Sequence, residues 1–141
     1  MKAIIVTGTP ATGKTTFAKE LAKELNAKYI DVNKIITPEG YDKERECEIV
    51  DTEKLNQALI KLIQKGYKLI IDSHLSHYLP SKYVEKCYVT KCDLKQLETR
   101  LKARNYKKPK IRENLDAEIF DICRNEAIQQ GHEVETINTS L

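Results

Sequence analysis

The stretch Gly8–Thr15, GTPATGKT, has the spacing G-x-x-x-x-G-K-[ST]. It follows the β-branched run Lys2–Thr7 (KAIIVT) and opens a segment with helical periodicity, so it lies where a strand passes into a helix. Those residue types suit a polyphosphate. Successive backbone N–H groups of such a turn can curl around an anion, and a side chain at Gly13 would obstruct the approach. The helix N-terminus adds partial positive charge. Lys14 can reach the β- and γ-phosphates as a point charge, and the Thr15 hydroxyl is a hard oxygen suited to Mg2+. Thr16 can add a hydrogen bond to the α-phosphate.

A metal at that loop needs a carboxylate to hold its water shell. Asp72 ends the apolar run of KLIID, Lys68–Asp72, and so stands at the C-terminal tip of a strand, the edge where open α/β sheets bind ligands. It is assigned a Walker B-like role through water, with Thr15 as the direct ligand. His74 lies two residues on. In extended chain it points to the same side as Asp72, where it could orient a water or bond a phosphate oxygen; an ordinary structural histidine is the alternative. Asp72, His74 and His77 also resemble a metal triad, but the phosphate loop already accounts for a metal there. Arg100 and Arg104 are four apart on one helix face, opposite a leucine stripe. Fixed positive charge favours a migrating phosphoryl group; surface ion pairing is the other use of either arginine. Arg104 opens the basic stretch Ala103–Glu113, too rich in Lys and Pro to be read as a rigid element. It suits a lid that excludes water, or a patch that touches RNA or a protein.

The elements around these residues alternate strand and helix, as in a layered α/β domain. Tyr29–Val32 reads as a second strand. Thr52–Lys65 is an amphipathic helix that Thr52 caps and Gly66 closes. Cys87–Thr90 is another strand. Asp93 caps a helix with Gln96 three residues on, and Leu94, Leu97 and Leu101 are expected to pack inward. Ile111, Leu115, Ile119 and Ile122 stripe one long helix ending near Gly131, and Glu133–Asn138 is a last strand. The polar stretch Asn33–Val50 does not fit this rhythm; it reads as a functional loop or small mobile subdomain, with ordinary solvated surface the alternative.

The chain has 141 residues, 40% of them apolar and a net charge of +3, which suits one compact domain and excludes wholesale disorder. No run approaches the roughly 18 apolar residues of a membrane span, and the N-terminal MKAIIVTG reads as a strand. The expectation is a cytoplasmic protein with no membrane contact. The four cysteines form no C-x-x-C pair and read as reduced structural thiols.

With these residues in view, the sequence resembles the adenylate kinase and nucleoside monophosphate (NMP) kinase class. Within it, the chain is most similar to the nuclear and archaeal branch, the isoenzyme 6 type of small adenylate kinase/ATPase of ribosome assembly. The resemblance runs from Lys2 to about Asn138. It rests on GTPATGKTT at Gly8–Thr16, YIDVNK at Tyr29–Lys34, YDKERECEIVDTEKL at Tyr41–Leu55, IIDSH at Ile70–His74, and RLKARNY with KIRENLDAEIF within Arg100–Phe120. It implies a P-loop NTPase fold, three-layer α/β/α, with a five-stranded parallel sheet in order 2-3-1-4-5. It implies an NMP-binding insert at about 29–51 and a short lid at about 103–113. It implies ATP contacts at Gly8, Ala11, Gly13, Lys14, Thr15 and Thr16, with Arg104 over the adenine or phosphates, and it ties Asp72 and His74 to an ATPase activity. The implied partners are AMP or another NMP and a platform protein of the small ribosomal subunit, universal protein eleven, with pre-ribosomal RNA as a further contact.

Two departures stand out. Position 11 is Ala where the family often has Gly, which fits a tight loop if its φ is negative. Relatives usually carry one more helix after the last strand, so one sheet face is expected to be less covered. Beside the kinase reading stand an assembly factor, whose ATP hydrolysis releases a ribosomal protein, and a small-metabolite kinase, which fits the phosphate loop but not the Arg100–Phe120 block.

Overall fold

The structure, a computed structural model, describes residues 2–35 and 50–140, together with the strand backbone of residues 40–42 and 47–49. Strand β1 (Ala3–Gly8) is buried along its whole length, as a β-branched run flanked on both sides must be. It passes through the phosphate loop into α1 (Lys14–Leu25), then β2 (Lys28–Asp31). Two short strands, β3 (Gly40–Asp42) and β4 (Cys47–Ile49), pair antiparallel apart from the main sheet. Helix α2 (Thr52–Gln64), β5 (Leu69–Asp72), β6 (Val84–Lys91), α3 (Leu94–Ala103), α4 (Lys108–Ile119), α5 (Ile122–Gln129) and β7 (Val134–Asn138) complete the chain. The main sheet is parallel throughout, in the order β2-β5-β1-β6-β7. Counting only its own strands in chain order, that is 2-3-1-4-5. Most of the expected insert at 29–51 lies outside the described residues.

Side chains alternate between the two faces of the sheet. Ile4, Val6 and Ile70 meet Ala18, Leu21 and Ala22 of α1. Ile5 and Ile71 face the other way, onto Leu55, Leu59 and Ile63 of α2 and Ala127 of α5. Each such buried Ile or Leu contributes roughly 2 kcal/mol. On the α1 face, Tyr88 of β6 is covered edge-on by Phe17. Among the described residues no helix is long and apolar enough to cross a membrane.

Several helix boundaries differ from the sequence reading. Asp51, not Thr52, caps α2; its extended backbone lets Oδ1 accept from the amides of Glu53 and Lys54, while Thr52 is already helical. Asp93 caps α3 as expected, but Leu94 in its first turn stays 42% exposed. The long C-terminal helix is two helices. Lys91 of β6 donates to the Glu118 carbonyl and pairs with Asp121, which adopts φ 53 and breaks the helix. Ile119 and Ile122 are therefore exposed, and the inward face of α4 is Lys110, Ile111, Asn114 and Glu118. The basic segment Ala103–Glu113 is not an irregular loop either. Arg104 caps α3, Asn105 turns the chain at φ 62, and α4 begins at Lys108 with Pro109 in its first turn, where a missing N–H costs nothing.

Candidate active site

The phosphate loop is held open by threonines. Thr12 Oγ1 donates to Thr9 O at 2.5 Å and meets Thr90 Oγ1 at 2.8 Å, and Thr90 Oγ1 reaches Thr7 O at 3.3 Å. A Cβ on Gly8 would stand 2.5 Å from Thr90 Oγ1 and 2.8 Å from Thr90 O, so β6 admits only glycine there. Ala11 has φ 71, not the negative φ expected of it. That conformation costs about 1–2 kcal/mol, and packing of the methyl group among Cys92, Leu97, Leu101 and Ile111 offsets part of it. Gly13, at φ 86, is the N-cap of α1 and supplies no side chain to the first-turn amides. Those amides keep their hydrogen-bonding capacity, as an anion-binding helix start requires.

Lys14 Nζ donates to Gly8 O at 3.1 Å and Thr9 O at 3.2 Å, at the rim of the loop. Burial pulls its pKa down to about 8; Asp72 opposes the shift and Arg104 adds to it. Thr15 Oγ1 donates to Asp72 Oδ2 at 2.8 Å, and the Tyr29 hydroxyl donates to the same oxygen at 2.7 Å. Parallel pairing explains the convergence: Asp72 lies in register with Val6 of β1 and Asp31 of β2, at the sheet edge below the loop. Burial, and then the bond to Asp72, push the Tyr29 phenol well above its ordinary value. The donor set of hydroxyl and carboxylate oxygens fits a hard divalent ion such as Mg2+ that keeps several waters. Among the described residues no group of three His, Cys, Asp or Glu could hold a metal on its own.

The chain does not stay extended after Asp72. It turns at His74 and Leu75, with Ser73 N bonded to Val6 O and Leu75 N to Ser73 Oγ. His74 nevertheless lies within electrostatic reach of Lys14. Loss of hydration, then the charges of Lys14, His77 and Lys110, lower its pKa to about 4. His74 is exposed, and its lowered pKa leaves the ring neutral at pH 7. His77 points away from the loop mouth. It is buried, with Nδ1 2.9 Å from Thr7 Oγ1 and Nε2 3.6 Å from Glu126. The triad of Asp72, His74 and His77 is therefore not assembled.

Beside the loop is a cavity of about 680 Å³, lined by Ala11, Gly13, Thr16, Arg100, Arg104 and Thr139 among others. Its size is that of a small-molecule pocket. The Arg104 side chain is exposed on the cavity wall. Arg100, also on the wall, donates to Ala11 O and Thr139 O, each at 3.2 Å, and so clamps the loop to the chain beyond β7. Thr139 completes the clamp, donating to Thr12 O at 2.6 Å. Glu118 fixes the loop from the other side, accepting from Thr9 Oγ1 at 3.1 Å and from the Cys92 amide at 2.8 Å. Sequence reasoning missed Tyr29, Thr90, Thr139 and Glu118 as parts of the site. Tyr29 and Glu118 each had a signal, Tyr29 as the first residue of YIDVNK and Glu118 as the second Glu of KIRENLDAEIF.

The doubly wound parallel sheet, the glycine-bearing turn after its central strand and the oxygen pair at the sheet edge define a phosphate-loop kinase-like protein. Residues 4–121 match the family described as an AAA domain. The chain is 35% identical over 142 residues to a putative adenylate kinase of Methanocaldococcus jannaschii, covering 98% of this chain and 78% of that one. It is 37% identical over 131 residues to the adenylate kinase isoenzyme 6 homolog FAP7 of Saccharomyces cerevisiae, covering 89% of this chain and 66% of that one. In fold it is similar to shikimate kinase from Acinetobacter baumannii, with a TM-score of 0.65 at 15% identity over 99% of this chain and 85% of the other. The chain belongs to the adenylate kinase family, in the branch that joins the isoenzyme 6 homologs and the archaeal putative adenylate kinases.

Proposed function

We propose that this protein transfers the γ-phosphoryl group of ATP to a nucleoside monophosphate, with AMP the first candidate. The observation that carries the reading is the meeting of Lys14 and the Thr15–Asp72 pair at the uncapped start of α1. In such a transfer the bond from the γ-phosphorus to the bridging oxygen breaks, leaving its electron pair on ADP, and an acceptor phosphate oxygen bonds to the same phosphorus. Little covalent work falls to the protein; positioning and charge neutralisation dominate. The loop amides and Thr16 hold the polyphosphate, Lys14 carries charge to its β,γ end, and Arg104 stands on the cavity wall where the nucleoside fits. Thr15 and Asp72 would hold Mg2+, Asp72 through water, and the bound ion supplies further neutralisation of the phosphates. Tyr29 keeps the Asp72 carboxylate in place. ADP formation from ATP, with and without AMP, tests the reading: turnover should depend on AMP, and a screen with CMP, dAMP and sugars should rank AMP first. Turnover that ignores every acceptor would refute it.

Hydrolysis linked to ribosome assembly is the second reading, and the neutral His74 beside Lys14 favours it, because a neutral imidazole can orient a water. His74→Ala should then stop ATP hydrolysis and spare transfer to AMP. The ribosomal partner belongs to this reading. Universal protein eleven should bind the chain and leave it on ATP turnover; no binding removes the assembly role.

A further inference from the structure

The inward face of α4 carries charge and hydrogen-bonding capacity that the loop and its clamps do not use. Lys110, Asn114 and Glu118 form one i, i+4, i+8 row, with successive residues about 6 Å apart along the axis. One end of the row is fixed at the site, and the charge at the other end is felt there. Glu118 accepts from Thr9 of the phosphate loop, and the Lys110 charge reaches the His74 ring just past Asp72. Asn114 lies between them, on the face turned to the loop.

Lys110 is 8% exposed and Asn114 5%. Lysine is almost never buried without a partner. Among the described residues the carboxylate nearest the Lys110 ammonium is Glu113, at 3.9 Å, too far for a hydrogen bond. The Asn114 side-chain N–H2 is buried and has no hydrogen-bond partner among the described residues. A buried unpaired amide is costly enough that its retention asks for a reason. An ammonium with one ion-pair partner at 3.9 Å and an amide donor with no acceptor among the described residues, one helical turn apart, match an anion with several oxygens.

We propose that Lys110 and Asn114 bind the phosphoryl group in flight, from the side of the loop where Asp72 and His74 stand. The inference rests on the phosphoryl-transfer reading above but not on the acceptor. In transfer to a monophosphate or to water alike, the P–O bond to ADP breaks with its electrons left on ADP, and the acceptor oxygen bonds to the phosphorus; when the acceptor is water, its proton passes to solvent. Lys110 and Asn114 meet the equatorial oxygens while both bonds are partial. Such donors act on the transition state more than on bound ATP.

The test compares the wild-type chain with Lys110→Met, Lys110→Arg and Asn114→Leu. Lys110→Met should lower kcat about hundredfold and leave the affinity for magnesium ADP, measured by calorimetry, within threefold. Lys110→Arg should recover at least a tenth of wild-type turnover. Asn114→Leu should lower kcat at least tenfold while the melting temperature holds or rises, since the unpaired amide is gone. Aluminium fluoride, a planar phosphoryl mimic, should tighten magnesium ADP in the wild type and not in Lys110→Met. The proposal is overturned if turnover of Lys110→Met or Asn114→Leu stays within threefold, if the losses follow ADP affinity or melting temperature, or if aluminium fluoride acts alike on wild type and Lys110→Met. Wild-type turnover that ignores AMP would refute the acceptor reading alone; the same ratios then apply to hydrolysis.

Discussion

Glu118 Oε1 accepts the Thr9 hydroxyl at 3.1 Å across 109 residues of chain, joining the middle of α4 to the phosphate loop. The same carboxylate takes the Cys92 amide and stands 3.1 Å from the Lys91 ammonium. One buried side chain thus sets the distance between the loop and the helix that bears Lys110 and Asn114.

Glu118→Ala should cost about 2–4 kcal/mol, because it orphans a hydroxyl and an amide and leaves Lys91 with one carboxylate partner, Asp121. Urea denaturation measures this, and a loss below about 1 kcal/mol would remove the carboxylate from its role as a brace. Glu118→Gln keeps one acceptor and should lose less. Both variants should weaken ATP binding, since Thr9 is no longer held.

Lys14 makes the site sensitive to alkaline pH. Below about pH 8 its ammonium is charged in the folded and the unfolded chain, and the folded state carries the full desolvation penalty. Between pH 8 and 10.5 the unfolded chain holds a proton that the folded chain has released, so the penalty is relieved as pH rises. At about 1.4 kcal/mol per pKa unit, the change is on the order of 3 kcal/mol. Chemical denaturation from pH 7 to 10.5 should show wild type gaining on Lys14→Met by this order. In the same range kcat/KM for ATP should fall above pH 8, since that ratio follows the free enzyme. Lys14→Met itself should have no measurable transfer or hydrolysis at any pH.

The acid side belongs to histidines. Burial is the main cause that lowers His77, with the Glu126 charge opposing it, and His74 is lowered to about 4. Both stay neutral in the folded chain at a pH where the unfolded chain is protonated. Stability should therefore fall as pH drops from about 6.5 toward 4. His77→Gln should flatten that slope while keeping a hydrogen bond to Thr7. An unchanged slope would place the acid lability elsewhere.

The sheet was legible because β1 and β5 are apolar runs with a glycine or an aspartate at the end, and a strand buried on both faces leaves little choice. Lys14, Thr15 and Asp72 were legible because spacing along one loop and one strand end fixes them. Tyr29, Thr139 and Glu118 were not, because each reaches the site from a distant element: Tyr29 through the parallel register of β2, Thr139 from the chain beyond β7 and Glu118 from α4. The break between α4 and α5 was hidden for a related reason. Ile111, Leu115, Ile119 and Ile122 form a helical stripe, but Lys91, a residue of β6, decides where the helix stops. Ala11 misled because its positive φ is tolerated through the packing of its methyl group, which no local signal shows.

Three glycines, two of them in the phosphate loop, give a graded prediction about backbone and space. Gly66 closes α2 at φ 90, and a Cβ there meets nothing within 4 Å. Gly66→Ala should therefore cost only the strain of a left-handed alanine, about 1 kcal/mol. Gly13 adds contact to strain: at φ 86 a Cβ would lie 3.3 Å from Thr139, whose side chain can give by a few tenths of an ångström only by loosening its bond to Thr12 O. Gly13→Ala should cost about 2 kcal/mol and weaken ATP binding through the loop clamp. Gly8 faces backbone that cannot move, with Thr90 O at 2.8 Å from the added carbon. Gly8→Ala should cost about 3 kcal/mol or more, pushing β6 from β1 and disturbing Thr12 and Thr90 together. Urea midpoints of the three variants should fall in that order. Gly66→Ala should retain full turnover; a Gly8→Ala variant as stable as Gly66→Ala would show that the threonine buttress yields, and that the loop is not fixed by its contact with β6.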